Sequence, residues 1–281
     1  MSRRRFMQCD VFTSTPTKGN GLAVVIDADG LSDAQMQDFA AWTNLAETTF
    51  LLPPTDPAAD YRVRIFTPAR EMLFAGHPTL GSCACWLKAG CAPRDPQRVV
   101  QECGVGLVEI DHTGTLPAFV APPTKIDPMD PTERARIVAA LALDPAKILR
   151  TARLENGPVW QAFELASADD VLAADWSAVR WPDFKAIGLI GAHPTGAPTQ
   201  YEVRMLAPSS GMSEDPITGS LNAALARWMR SEGRLPADIM VSQGTSIDRH
   251  GRIAIRPDPA DPERTLIGGE TLILIEGSVD L

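Results

Sequence analysis

Taking a proton from carbon near neutral pH calls for a carboxylate or an imidazole in a partly dry setting, where burial shifts its pKa. Two such groups stand out in this chain. His77 lies in Gly76-His77-Pro78-Thr79-Leu80-Gly81-Ser82, and Asp215 lies in Glu214-Asp215-Pro216-Ile217-Thr218-Gly219-Ser220. Both directly precede a proline, and both segments lead into an apolar run that reads as a helix. Proline suits a first helical position, because its missing N–H would have had no partner there. Each segment is therefore expected to present a helix start with spare backbone N–H groups and the positive end of the dipole. That setting suits a substrate carboxylate or an enolate-like charge. Gly81 and Gly219 leave room for a ligand or an opposing helix. Asp215 reads equally well as a plain N-cap. His77 is a poorer cap, which favours hydrogen bonding to a substrate or to a carboxylate. A third group, Glu47, sits in Asn44-Leu45-Ala46-Glu47-Thr48-Thr49-Phe50, between a helix end and a strand. Taken alone, a glutamate there reads as a solvated loop residue.

Other chemistries find little support. There is no G-x-S-x-G elbow and no Walker A loop; Gly19-Asn20-Gly21 begins like a dinucleotide fingerprint, but Val24 stands where the third glycine belongs. His77, His112, His193 and His250 lack metal-ligand spacing, and Cys9, Cys83, Cys85, Cys91 and Cys103 include no C-x-x-C pair. Cys83 and Cys85, in an apolar stretch, read as reduced core thiols. No metal or cofactor is expected.

The elements that must position these groups alternate between strand and helix. Phe6–Val11, Leu22–Ile26, Thr48–Leu52 and Arg62–Phe66 read as strands, and Ser32 with Gln35 forms a capping box for a helix. A second helix is expected from about Pro78 to Lys88, ending at Gly90. Gly104-Val105-Gly106 joins a hairpin, Asp130, Pro131 and Glu133 open a further helix, and strands close the chain at Arg252–Ile255 and Leu272–Ile275. The chain also matches itself. Tyr61-Arg62-Val63-Arg64-Ile65-Phe66-Thr67-Pro68 aligns with Tyr201-Glu202-Val203-Arg204-Met205-Leu206-Ala207-Pro208 at an offset of 140, and the two proline segments align at 138. A duplicated domain is the simplest account, with the copies facing each other across a pseudo-twofold axis and His77 equivalent to Asp215. The Pro-rich passage from Leu116 to Pro131 sets the expected boundary, giving lobes 1–120 and 121–281, the last strand being able to return to the first lobe.

The chain has 281 residues, 44% hydrophobic and 22% charged, which suits two modest domains. Its net charge of −9 argues against a nucleic-acid partner. The start carries three arginines, but the polar stretch that follows is no signal peptide, and no run approaches the ~18 apolar residues of a membrane span. A cytoplasmic protein without a membrane partner is expected.

Taken together, Gly19-Asn20, Asn44-Leu45-Ala46-Glu47-Thr48-Thr49-Phe50, Arg64-Ile65-Phe66-Thr67-Pro68, Phe74-Ala75-Gly76-His77-Pro78-Thr79, Glu214-Asp215-Pro216-Ile217-Thr218-Gly219-Ser220, Gln243-Gly244 and Gly268-Gly269 resemble the PhzF-like family of phenazine biosynthesis, in order and over essentially the whole chain. The resemblance implies an α+β, diaminopimelate-epimerase-like fold: two pseudo-twofold-related lobes, each a curved mixed sheet wrapped around a central helix, with the active site between them. It implies a cofactor-free isomerase, a homodimer, acting on a small carboxylate of the trans-2,3-dihydro-3-hydroxyanthranilate type. By the same resemblance Glu47 is the acid/base, His77 and Asp215 assist or bind substrate, and Gly76, Thr218, Gly219 and Ser220 contact the substrate. An epimerase, racemase or lyase on an amino-acid-like substrate, or a non-catalytic binding protein, is the alternative. Racemases of this fold carry a thiol on each lobe, and neither proline segment here holds one. The chain departs from the family at Ala46, Gly21 and Asp248-Arg249-His250.

Overall fold

The computed structural model describes residues 2–208, 212–261 and 263–281. Along the chain come β1 (Arg3–Val11), β2 (Asn20–Val25), α1 (Asp33–Thr43), β3 (Glu47–Leu52), β4 (Tyr61–Phe66), β5 (Glu71–Met72), α2 (Gly76–Lys88), β6 (Arg98–Cys103), β7 (Gly106–Asp111) and β8 (Ala118–Val120). Next are β9 (Lys125–Asp127), α3 (Pro131–Ala140), β10 (Ile148–Glu155), β11 (Val159–Leu165), α4 (Ala168–Ala173), β12 (Ile187–Ala192), β13 (Tyr201–Leu206), β14 (Glu214–Asp215) and α5 (Gly219–Ser231). The last four strands are β15 (Ile239–Gln243), β16 (Gly251–Pro257), β17 (Thr265–Gly268) and β18 (Thr271–Asp280). The mixture of parallel and antiparallel strands with few helices is the α+β class expected. Among the described residues no helix is long and apolar enough to cross a membrane.

Two compact units result, Met1–Val120 with Gly268–Leu281, and Ala121–Ile267. Local chemistry sets their elements. The Ser32 side chain accepts from the Gln35 N–H while the Gln35 side chain reaches back to the Ser32 N–H, and Asn44, left-handed at φ 54°, ends α1. Gly104 and Val105 turn β6 into β7, with Gly106 at φ 101°. Asp130 caps α3 by accepting from the Glu133 N–H, with Pro131 in the first turn.

The duplication is written in the strand pairing. In the first unit β1 pairs antiparallel with β2, β2 parallel with β3, β3 antiparallel with β4, β4 antiparallel with β5 and parallel with β6, and β6 antiparallel with β7. In the second unit β10, β11, β12, β13, β14, β15 and β16 repeat the same senses in the same order. Helix α2 packs against β1, β2, β3, β6, β8 and β18, and most of its residues are buried, so it is the central helix of the first unit. The equally buried α5 packs on β10 and β16 in the second.

The alignment of the proline segments needs correcting. The two 13-residue helices start at Gly76 and Gly219, an offset of 143, because seven residues (207–213) separate the repeated strand from the next strand in the second copy and four (67–70) in the first. Asp215 therefore corresponds to Met72, and His77 to Ser220. Pro78 is the third residue of α2, whereas Pro216 precedes α5, so neither proline opens its helix. Asp215 lies in β14 and is not an N-cap; the caps are Ala75 and Thr218. Proline is tolerated at position 78 because first-turn N–H groups have no intrahelical partner, and at position 216 because it lies outside the helix, so the shared G-H-P and E-D-P pattern did not mark equivalent positions.

Candidate active site

In the first unit, β2 and β3 run parallel with Leu22 beside Glu47, which puts Asn20 and Glu47 at the heads of neighbouring strands. The first turn of α2 carries His77 to both. His77 Nε2 lies 3.3 Å from Glu47 Oε2, and Asn20 Nδ2 lies 3.3 Å from His77 Nδ1. Asn20 and His77 are buried, and only 15% of the Glu47 side chain is exposed. Glu47 thus opens β3 in a largely dry setting, unlike the solvated loop glutamate that its local sequence describes. Burial pushes the His77 imidazole down to about 3, so the ring is neutral at physiological pH. Its approach to Glu47 is that of a neutral ring to a carboxylate, not an ion pair.

In the second unit, the Thr218 hydroxyl donates a hydrogen bond to Asp215 Oδ2. Gln243, wholly buried on β15, holds this turn from four sides. Its Oε1 accepts from the Thr218 N–H at 3.0 Å and from Asn222 Nδ2 at 2.9 Å, and its Nε2 donates to Thr218 Oγ1 at 2.9 Å and to the Asp215 carbonyl at 3.3 Å. An amide nitrogen has no lone pair to offer, so Gln243 occupies the acceptor side of the threonine hydroxyl and leaves its proton for Asp215. Asn156 Nδ2 donates to the Ser220 carbonyl at 2.8 Å, and Asn156 Oδ1 accepts from Trp160 Nε1 at 2.9 Å. Behind Asp215, the buried Arg204 grips Glu214 through Nε at 3.0 Å and a terminal nitrogen at 2.8 Å.

Gly76 and Gly219 are the first residues of their helices and Ser220 the second of α5, all buried. Neither helix has a side-chain cap, so Asp215 does not cap α5, contrary to the plain reading of it. Cys83 and Cys85 lie further along α2 as buried free thiols, and burial pushes Cys83 well above the usual thiol range. Such a thiol is a poor base. Sequence reasoning gave no role to Asn20, Gln243, Asn156 or Asn222. The available signal was a polar amide inside an apolar run, as in Leu221-Asn222-Ala223-Ala224-Leu225, since a buried amide must find partners.

Comparison with known proteins bears on the family and the fold. The family described as phenazine biosynthesis-like protein, PhzC-PhzF, matches residues 9–277. Antisense-enhancing sequence 1 of Schizosaccharomyces pombe is 34% identical over 299 residues, covering 99% of each chain. The trans-2,3-dihydro-3-hydroxyanthranilate isomerase of Pseudomonas aeruginosa is 34% identical over 269 residues, covering 91% of each. The crystal structure of a PhzF-family phenazine biosynthesis protein from Bacillus anthracis superposes with a TM-score of 0.81 at 21% identity over the full length of both chains, which shows the shared fold. That fold is the diaminopimelate-epimerase-like one. With the family model matched from residue 9 to 277 and the Pseudomonas aeruginosa relative named an isomerase, the chain belongs to the phenazine biosynthesis-like PhzC-PhzF family and is an isomerase.

Proposed function

We propose that the protein shifts a proton between two carbons of a small carboxylate without a cofactor, with Glu47 as the acid/base. The observation that supports this most is the buried approach of His77 Nε2 to Glu47 Oε2 at 3.3 Å. The Glu47 carboxylate takes a proton from a carbon beside a conjugated system, and the C–H electron pair enters that system. The resulting carboxylic acid then returns the proton at the far end of the system. Nothing is oxidised or reduced, and the enzyme ends as it began. Two proton transfers by one carboxylate account for the whole change. His77 and Asp215 position the substrate or relay protons, and Gly76, Thr218, Gly219 and Ser220 supply backbone and hydroxyl contacts to its carboxylate. The uncapped starts of α2 and α5 support a charge of that sign. The working form is a homodimer, which light scattering on a sizing column would check.

The substrate type follows the Pseudomonas aeruginosa relative, trans-2,3-dihydro-3-hydroxyanthranilate. Proton NMR in deuterated buffer should show its rearrangement by the native protein. Glu47→Gln keeps the size and loses the base, so its rate should fall by about a hundredfold to ten-thousandfold. Native-like turnover by Glu47→Gln would overturn the role of Glu47. A native protein that leaves this compound unchanged would remove the substrate class.

A further inference from the structure

We propose that Asn20 is a positioning residue that fixes His77 as its Nε2–H tautomer, so that the ring always presents a donor, never an acceptor, to Glu47. Only the kinetic arm of the test below rests on the function proposed above.

The argument is one of hydrogen counting. Asn20 Nδ2 carries two hydrogens and no available lone pair, so its 3.3 Å contact with His77 Nδ1 makes Nδ1 an acceptor. A neutral imidazole carries a single N–H, which must then sit on Nε2, 3.3 Å from Glu47 Oε2. The 3.3 Å approach to Glu47 Oε2 is a close contact outside hydrogen-bond geometry, and among the described residues Nε2 has no hydrogen-bond partner, so its hydrogen faces the carboxylate without competition. The amide is held firmly enough to impose this choice. Asn20 is buried and opens β2 opposite Val11 of β1. The preceding N–H, that of Gly19, donates to Asp10 Oδ2 at 3.0 Å. A side chain on Gly19 would meet the Val11 carbonyl at 2.5 Å, so the backbone entering β2 runs against β1 with no room to shift.

The tautomer matters most when Glu47 is carrying the proton. With hydrogen already on Nε2, the ring offers no lone pair on that side, and the proton on Glu47 is free to go to carbon. In the other tautomer Nε2 would present a lone pair to Glu47 and hold the proton of its carboxylic acid in a hydrogen bond, turned away from carbon. Asn20 thus keeps the Glu47 proton from being tied up on the imidazole and keeps the N–H side of a neutral ring towards the carboxylate.

The test is long-range proton–nitrogen NMR on protein labelled with ¹⁵N-histidine, with His112, His193 and His250 as internal controls. In the native protein, His77 Nε2 should give a protonated, pyrrole-type signal and Nδ1 an unprotonated, pyridine-type one. Asn20→Asp keeps the shape but offers only acceptors when ionised, so the two signals should exchange while the control histidines stay put. Turnover of the substrate should fall by about a hundredfold or more, with KM little changed, as expected when a catalytic histidine is held in the wrong tautomer. A purely structural role for Asn20 would leave the ring signals in place. Protonated Nδ1 in the native protein would overturn the proposal, and so would unchanged ring signals in a folded Asn20→Asp variant. The native spectrum decides even where a variant fails to fold. Correct ring signals without turnover of the chosen substrate would count against the substrate class and leave the role of Asn20 standing.

Discussion

An imidazole buried without its charge ties the folded state of this protein to pH. In the unfolded chain His77 takes up a proton near pH 6.5, and in the folded protein only near 3. Acid therefore favours the unfolded chain. The contribution of a neutral His77 is complete above about pH 6.5 and is lost progressively as the pH falls towards 3, by up to a few kcal/mol. His77→Gln, which cannot titrate, should lose less stability than the native protein between pH 6.5 and 3.5 in urea unfolding. Parallel acid slopes for the two proteins would show that His77 is accessible to protons in the fold. As candidates, His77 and Asp215 could be chosen from residue type and motif, and Glu47 only through the family resemblance. Their surroundings were not legible in the sequence, because burial and the approach of Asn20 to His77 bring together residues that no local pattern connects. Gly19-Asn20 and Gln243-Gly244 were visible as motif pieces, yet an amide acts through the direction of its hydrogen bonds, and that direction depends on partners 57 and 25 residues away.

At the scale of elements, the repeated strands carry one Arg–Glu pair twice in two different settings. Arg64 on β4 binds Glu71 through two bonds of 2.7 Å and also reaches Asp33, with Asp33 and Glu71 both exposed. Arg204 on β13 binds Glu214 with the same two nitrogens, both of them to Oε2, but both side chains are buried, and its remaining nitrogen donates to the carbonyls of Val171 and Ala174 near the end of α4. Burial pushes the Glu214 carboxyl up, and Arg204 works against that shift. Removing one member of a buried pair strands the other charge. Arg204→Met should therefore cost about 3–5 kcal/mol, whereas Arg64→Met should cost roughly 1 kcal/mol or less. Urea unfolding of the two variants gives the comparison, and equal losses would contradict it. The sequence showed the repeated strand plainly, because its apolar alternation survives in both copies. It misplaced the helix starts because a three-residue difference in the length of the following segment leaves no periodic trace and two prolines happened to align.

Over the whole molecule, the two units do not follow the chain. Strand β18 comes after all of the second unit yet pairs with β1 of the first along its length, from Arg3 opposite Asp280 to Val11 opposite Thr271. Strand β9, which follows the first copy of the repeat, pairs instead with β10 in the second unit. Deleting residues 271–281 should therefore damage the sheet at the opposite end of the sequence. The expected result is loss of protection of the β1 amides in hydrogen exchange and a markedly lower Tm, with a synthetic peptide of residues 270–281 restoring part of both. Protected β1 amides in the truncated protein would refute it. The arrangement also sets an order of events on the ribosome. The unit whose residues emerge first is the one completed last, since β1 keeps an open edge until β18 has been translated, and an open edge invites pairing with other chains. The second unit meets no such delay, because β9 is already outside the exit tunnel when β10 appears.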